Sequence, residues 1–331
     1  MHQSMNNNNS FELVCDILDG CVFECNDCYI TKENSNKLTG DFFEVAHSFI
    51  HKYYPFAITI GHTDFFTATN TKNILRDIRL TELIRKFERL VINSTLMKLD
   101  DDIIDQLCKL DIPLQINIVI PLNKFKNESY LQIVARNIAY IRKTLDIIVH
   151  PQINTPSDVV IDDYDYTTRV YERVIGTGVD FNPSFILSSE LSNQEKAQYF
   201  KNIRKSIETS NIKNGWDMSD KHIDVTRTSD TMERPILYSN KKFYIVPTMY
   251  AHCNIISDDL QFVDFDSYSF VSNTLQARQL SFVYNNNAEC STCENIAVCA
   301  TRNTIYVMEQ LDTTRCLLPK DIILGYKWNS L

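Results

Sequence analysis

Cys21, Cys25 and Cys28 stand at C-x3-C-x2-C in the run Gly20-Cys-Val-Phe-Glu-Cys-Asn-Asp-Cys-Tyr29, directly after an apolar strand-like stretch, Phe11 to Leu18. Three thiolates offered from one short loop can hold three irons of a [4Fe-4S] cube and leave the fourth iron without a protein ligand. A cluster with an open corner is a place to bind and reduce something. Zinc is the rival ligand, but structural zinc sites pair C-x2-C with a second ligand pair at a set distance. The x3 gap fits that poorly, and His47, His51 and His62 fall on or beyond a predicted helix. A disulfide loop is disfavoured because the start, Met-His-Gln-Ser-Met and four Asn, has no apolar segment of a secretory signal.

A second group follows near the other end. Cys290, Cys293 and Cys299 stand at C-x2-C-x5-C, with Cys316 after a helical interval and Cys253 upstream on a predicted strand. Four thiolates close a cluster with no open corner or make a four-cysteine zinc site. Cys15 and Cys108 fall on apolar periodic faces, where a free thiol behaves as a small hydrophobe, and they carry no chemistry.

Composition sets the frame for these sites. The chain has 331 residues, 44% hydrophobic, enough for one large or two modest cores. Ten cysteines, eight of them in two groups, read as metal ligation in a reducing compartment, so a cytoplasmic location is expected. The net charge of −9, with acids and bases interspersed, argues against nucleic acid as partner. The apolar runs are too short to span a bilayer, so no membrane partner is expected.

The elements that must position the cysteines alternate from Phe11 to about residue 211. Strands are expected at Phe11–Leu18, Phe56–Gly61, Leu90–Ser94, Pro113–Pro121, Asp146–Ile153 and Val179–Phe185. Amphipathic helices are expected at Asp41–Tyr54, Thr71–Phe87, Asp100–Leu110, Glu128–Leu145, Tyr164–Ile175 and Ser192–Thr209, the last opened by a Ser192/Glu195 capping box. Six strand–helix repeats mean a parallel sheet with right-handed crossovers, either doubly wound and open or curled like a barrel. In both, active sites collect at the carboxyl ends of strands, where the first cysteine loop sits. Residues 212–235 read as a linker. Beyond it, Ile236–Tyr238 with Lys242–Val246, and Tyr250–Ile256 with Leu260–Phe265, read as hairpins, and Thr274–Tyr284 as a short helix.

The first cysteine loop in this setting resembles the radical S-adenosylmethionine (SAM) enzymes, and the second group resembles their SPASM and twitch auxiliary-cluster extensions. The resemblance implies an α/β chain with a partial (β/α)6 TIM-like barrel over residues 1–211 and a small C-terminal α+β cysteine-rich auxiliary-cluster domain over 236–331. It implies that Cys21, Cys25 and Cys28 hold a SAM-binding [4Fe-4S] cluster that cleaves SAM to a 5'-deoxyadenosyl radical. It also implies one auxiliary [4Fe-4S] cluster on Cys290, Cys293, Cys299 and Cys316, or on a set that recruits Cys253. A full SPASM domain has a further Cys where this chain has Asn303, and a Cys pair where the hairpin has Cys253 alone.

Where the family carries Gly-Gly-Glu for the SAM amino group, this chain has Gly61, His62, Thr63 and Asp64. The carbonyls of Gly61 and His62 can accept from an ammonium, with Thr63 or Asp64 in place of the carboxylate. The other reading of Asp64 is a cap on a strand-end turn. Tyr29 is placed against adenine or in the core, and Ser94, Asn117 and Asn154 lie near strand ends, where ribose and carboxylate contacts arise. The implied activity is hydrogen abstraction from an unactivated C–H bond, followed by oxidation or cross-linking of a peptide or small-molecule substrate. The electron donor would be a flavodoxin or ferredoxin. Only ten residues precede Phe11, so a leader-binding domain is expected to be absent or separately encoded. The alternative from another class is a non-catalytic iron-sulfur or zinc protein, an electron carrier or scaffold.

Overall fold

The computed structural model describes residues 10–20, 38, 40–61, 63–122, 128–145, 147–179, 182–188, 191–213, 234–239, 242–245, 263–264, 269–270 and 304–307. Six strands alternate with helices. They are β1 (Ser10–Asp16), β2 (Tyr54–Gly61), β3 (Arg89–Ser94), β4 (Leu114–Pro121), β5 (Ile148–Pro156) and β6 (Asn182–Ser188). The helices are α1 (Gly40–Lys52), α2 (Thr71–Arg76), α3 (Ile78–Ile84), α4 (Asp101–Cys108), α5 (Glu128–Thr144), α6 (Ser157–Asp162), α7 (Tyr164–Ile175) and α8 (Asn193–Lys213). Later segments supply β7 (Arg234–Ser239), β8 (Lys242–Ile245), β9 (Val263–Asp264), β10 (Ser269–Phe270) and β11 (Thr304–Val307).

The order of the main sheet is β11-β6-β5-β4-β3-β2-β1-β7-β8, with β1 to β6 parallel and in chain order. A sheet that always steps the same way, with right-handed crossovers, carries all its helices on one face. The core agrees. Phe11, Leu13 and Cys15 of β1, Ile58 and Ile60 of β2, Leu90 and Ile92 of β3, and Leu114, Ile116, Ile118 and Ile120 of β4 join one buried cluster with apolar residues of α1 to α8. A doubly wound sheet would split its helices between two faces. The winding of β1 to β6 is therefore single rather than double, a choice that periodicity alone left open.

The alternate residues explain the sequence pattern. Leu114-Gln-Ile-Asn-Ile-Val-Ile places Gln115, Asn117 and Val119 on the face away from the helices, as a period of two requires. Glu12, Asp16 and Thr59 share that face and are buried. Parallel strands covered on both sides normally read as unbroken apolar runs. Here the second face interleaves polar groups with the apolar Val14, Ala57 and Val91, so the strands read as neither unbroken runs nor a strict alternation.

The interval between Cys299 and Cys316, expected to be helical, contains the strand β11, and the helices depart from expectation at two further places. The long helix over Thr71–Phe87 is broken at Asp77, whose backbone is extended (φ −71°, ψ 108°) and whose carboxylate accepts the Arg79 N–H at 2.9 Å to cap α3. Aspartate competes for nearby backbone N–H groups, which is why it interrupts helices. α6 lies where no helix is expected, between Pro156 and Asp163. The capping box before α8 forms, with Ser192 N–H donating to Glu195 Oε2 at 2.8 Å and Glu195 N–H to Ser192 Oγ at 3.3 Å. The hairpin after Arg234 forms too, and β7 adds to the main sheet parallel to β1 while β11 adds parallel to β6. Val263–Asp264 pairs with Ser269–Phe270. The Tyr250–Ile256 strand, the Thr274–Tyr284 helix and most of the linker lie outside the described residues. Among the described residues, no helix is long and apolar enough to cross a membrane.

Candidate active site at the carboxyl ends of the strands

The chain leaves β1 through Ile17, Leu18, Asp19 and Gly20, the residue before Cys21. Gly20 has a φ of +71°, a left-handed conformation that side chains resist, so the turn into the cysteine loop is made where glycine makes it cheapest. The exit is braced from the loop after β2. The Asn70 amide accepts from Asp19 N–H at 2.8 Å and donates to the Ile17 carbonyl at 2.9 Å. Asp19 Oδ1 is buried and has no hydrogen-bond partner among the described residues. Cys21, Cys25, Cys28 and Tyr29 lie outside the described residues, as do His62, Cys253, Cys290, Cys293, Cys299 and Cys316.

A row of register partners crosses the strands beside this exit. Asp16 pairs with Gly61, Asn93 with Asn117, and Asn117 with His150. The Asn93 amide approaches Gly61 closely: an added Cβ would overlap its nitrogen, so Asn93 would have to shift. Asn117 Oδ1 accepts from Gln115 Nε2 at 2.8 Å, and Gln115 Oε1 accepts from the Arg89 guanidinium at 3.2 Å. Arg89 in turn sits over the Phe56 ring at 4.5 Å. A polar ladder thus runs along the second face from the foot of β3 to the Asn117 layer. Asn154 pairs with Pro121 and Ser184, four residues beyond the Asn117–His150 pair. That step is about 13 Å along the strand, so Asn117 and Asn154 belong to different layers.

The segment after β2 is anchored at Asp64. Its Oδ2 accepts from Ser94 Oγ at 3.1 Å, Thr95 N–H at 2.5 Å and Thr95 Oγ1 at 2.6 Å, and its Oδ1 accepts from Thr67 N–H at 3.1 Å. Asp64, Ser94 and Thr63 are all buried. Both sequence-predicted oxygens, the Asp64 carboxylate and the Ser94 hydroxyl, are therefore brought together and turned on one another. Ser94 Oγ also accepts from Leu96 N–H at 3.0 Å, and the Leu96 carbonyl takes a 2.7 Å bond from Asn137 of α5. Leu96 has a φ of +53°. Leucine in that region is strained and persists only where its surroundings over-determine it, as these bonds do.

Cys15 faces the helix-side core. Burial, with the Asp16 charge beside it, pushes its thiol far above the ordinary range, so it stays protonated and inert. Cys108, expected on an apolar face, is instead exposed on α4, whose buried face is Ile103, Ile104 and Leu107. Sequence reasoning missed Asn70, Thr95 and the Asp19 exit. Thr95 follows a named residue, but an asparagine before a helix reads as an ordinary cap, so Asn70 left no usable signal.

The features that fit a bound group are the three-thiolate donor set, the buried orphan oxygen of Asp19 and the flat Gly61 position beside Asn93. No protein-family model matches the sequence, and no curated protein matches it. Solved structures do share the fold. One is anSMEcpe with bound AdoMet, at 10% identity and a TM-score of 0.59, covering 88% of this chain and 85% of that one. A second is native anSMEcpe with AdoMet and a peptide bound, at 10% identity and 0.59, covering 88% of each chain. A third is SuiB of Streptococcus suis bound to the precursor peptide SuiA, at 12% identity and 0.54, covering 88% of this chain and 71% of that one. At these identities the likeness is one of fold.

Proposed function

We propose that the chain is a radical SAM enzyme. The observation that carries the proposal is the C-x3-C-x2-C sequence that follows β1 at the carboxyl end of a singly wound parallel sheet, beside the face that carries Asp16, Asn93 and Asn117. The fold shared with proteins that hold AdoMet supports it. In this reading residues 1–211 form the partial barrel, 212–235 a linker, and 236–331 an auxiliary region whose β7, β8 and β11 join the two edges of the barrel's sheet. Cys21, Cys25 and Cys28 would hold the cluster at three corners. Bound there, the cluster would supply the electron for reductive cleavage of SAM, the chemistry by which hydrogen is taken from a substrate C–H bond.

The chain's own residues bind and orient. With the Asp64 carboxylate satisfied by Ser94, Thr95 and Thr67, the SAM ammonium falls to the backbone carbonyls of Gly61 and His62. The Asn93–Asn117 layer offers amides to the ribose and carboxylate, with Tyr29 assigned to the adenine and Asn154, one layer further along the strands, to the far end of the bound molecule. The fold-sharing structures that contain peptides favour a peptide as substrate over a small molecule. The auxiliary cluster is assigned to Cys290, Cys293, Cys299 and Cys316, where it would accept the electron of an oxidised or cross-linked product.

The test is anaerobic reconstitution with iron and sulfide, followed by iron analysis and the electron paramagnetic resonance (EPR) spectrum of the reduced protein with and without SAM. Two clusters are expected, one with a spectrum that shifts on SAM addition and vanishes in Cys21/Cys25/Cys28→Ala. Cys290→Ala should lose the other, and Cys253→Ala should keep both. A spectrum indifferent to SAM would favour the second reading, an electron carrier. The observation on that side is that the Asp64 carboxylate is already bound by protein donors.

A further inference from the structure

α2 begins at Thr71, which makes Asn70 its N-cap residue. An asparagine there ordinarily turns its oxygen onto the free N–H groups of its own helix. Asn70 makes no such bond. Both ends of its amide go to the chain leaving β1, at 2.8 Å to Asp19 N–H and 2.9 Å to the Ile17 carbonyl. Thr69 adds its N–H at 3.0 Å and its hydroxyl at 3.2 Å, both donated to the Asp19 carbonyl. The Thr69 methyl lies 3.9 Å from where a Cβ on Gly20 would stand. The other end of the same segment is pinned to the end of β3 through Asp64. Residues 64–70 are therefore a strap across the ends of β1, β2 and β3, and its last residue gives up a helix cap to hold the root of the cysteine loop.

Resting on the reading of Cys21, Cys25 and Cys28 as cluster ligands, we propose that Asn70 is a positioning residue for that cluster. It fixes the path of the chain at Ile17 and Asp19, and so the geometry in which Gly20 delivers the three thiolates. Groups behind the ligands set the affinity and electronic character of a metal site, because a donor set left to find its own geometry binds more weakly. Asn70 touches no reacting atom in this role.

The experiment compares wild type, Asn70→Ala, Asn70→Asp and Thr69→Val as full-length chains, each reconstituted anaerobically. Two readouts need no turnover: iron release to a chelator, and the SAM-induced shift of the reduced-cluster EPR spectrum. Circular dichroism of the apo proteins monitors the fold. Loss of two net hydrogen bonds predicts release from the N-terminal site about tenfold faster in Asn70→Ala. The shift with SAM should broaden or disappear. Asn70→Asp, which keeps the acceptor for Asp19 N–H, should recover part of both, and Thr69→Val should show a smaller change in the same direction. Wild-type release and an unchanged shift in Asn70→Ala overturn the proposal. If Asn70→Ala does not fold, Asn70→Asp and Thr69→Val decide it, and wild-type behaviour in both overturns it. Cys21/Cys25/Cys28→Ala separates the two levels. If that variant keeps all the iron and the same spectrum, the cluster reading fails and this inference with it. If it loses one cluster while the Asn70 variants behave as wild type, only this inference fails.

Discussion

At the residue scale, Asp64 shows how a site can be half legible. Its place after β2 marked it as a carboxylate for the SAM ammonium, and a cap on a strand-end turn was the other reading. What its side chain touches is Ser94, Thr95 and Thr67, a set of donors supplied by a neighbouring strand end that no local pattern announces. Replacing it by Asn keeps the shape but presents an amide nitrogen to some of those donors. Asp64→Asn should cost about 2 kcal/mol of stability in urea unfolding, since buried donors would be left without an acceptor. Gly61 poses the converse case. Gly61→Ala should destabilise by about 1–3 kcal/mol through overlap with the Asn93 amide, and Asn93→Ala in the same chain should restore most of it. An unaltered Gly61→Ala midpoint would mean that Asn93 moves aside freely.

At the element scale, strand and helix order from residue 10 to 213 followed from hydrophobic period, and the capping box before α8 from two residues. Periodicity could not see the break at Asp77, because the apolar face runs through it: Leu75 and Leu80 are both buried. The choice there is local electrostatics. The Arg79 guanidinium and the backbone N–H groups at the start of α3 hold the Asp77 carboxyl below the ordinary carboxylate range. A carboxyl lowered in the folded state contributes stability above its unfolded value and loses it as pH falls through the folded one. Asp77→Asn retains a capping oxygen without the charge. The stability gap between wild type and Asp77→Asn, measured by urea midpoints, should therefore be present at neutral pH and close in acid. A gap that stays constant with pH would show that the ion pair with Arg79 contributes nothing.

At the scale of the whole molecule, the chain-order sheet decides which face is left for chemistry. Among the described residues the helices join the core on one side, and the other carries Glu12, Asp16 and Thr59, buried, with Asn93, Gln115 and Asn117 half-buried beside them. That the cysteine segment follows the carboxyl end of β1 is legible in strand order alone. The pairing of β7 and β11 with the two outer edges was not, since pairing between distant segments carries no local mark. Open parallel edges invite association. A chain ending at Lys213 should self-associate in light scattering where the full chain does not. The central claim is tested most directly by mass spectrometry of the reconstituted, reduced full chain given SAM. Formation of 5'-deoxyadenosine and methionine by wild type and none by Cys21/Cys25/Cys28→Ala is the predicted result. Neither product from wild type that holds its full complement of iron would contradict it.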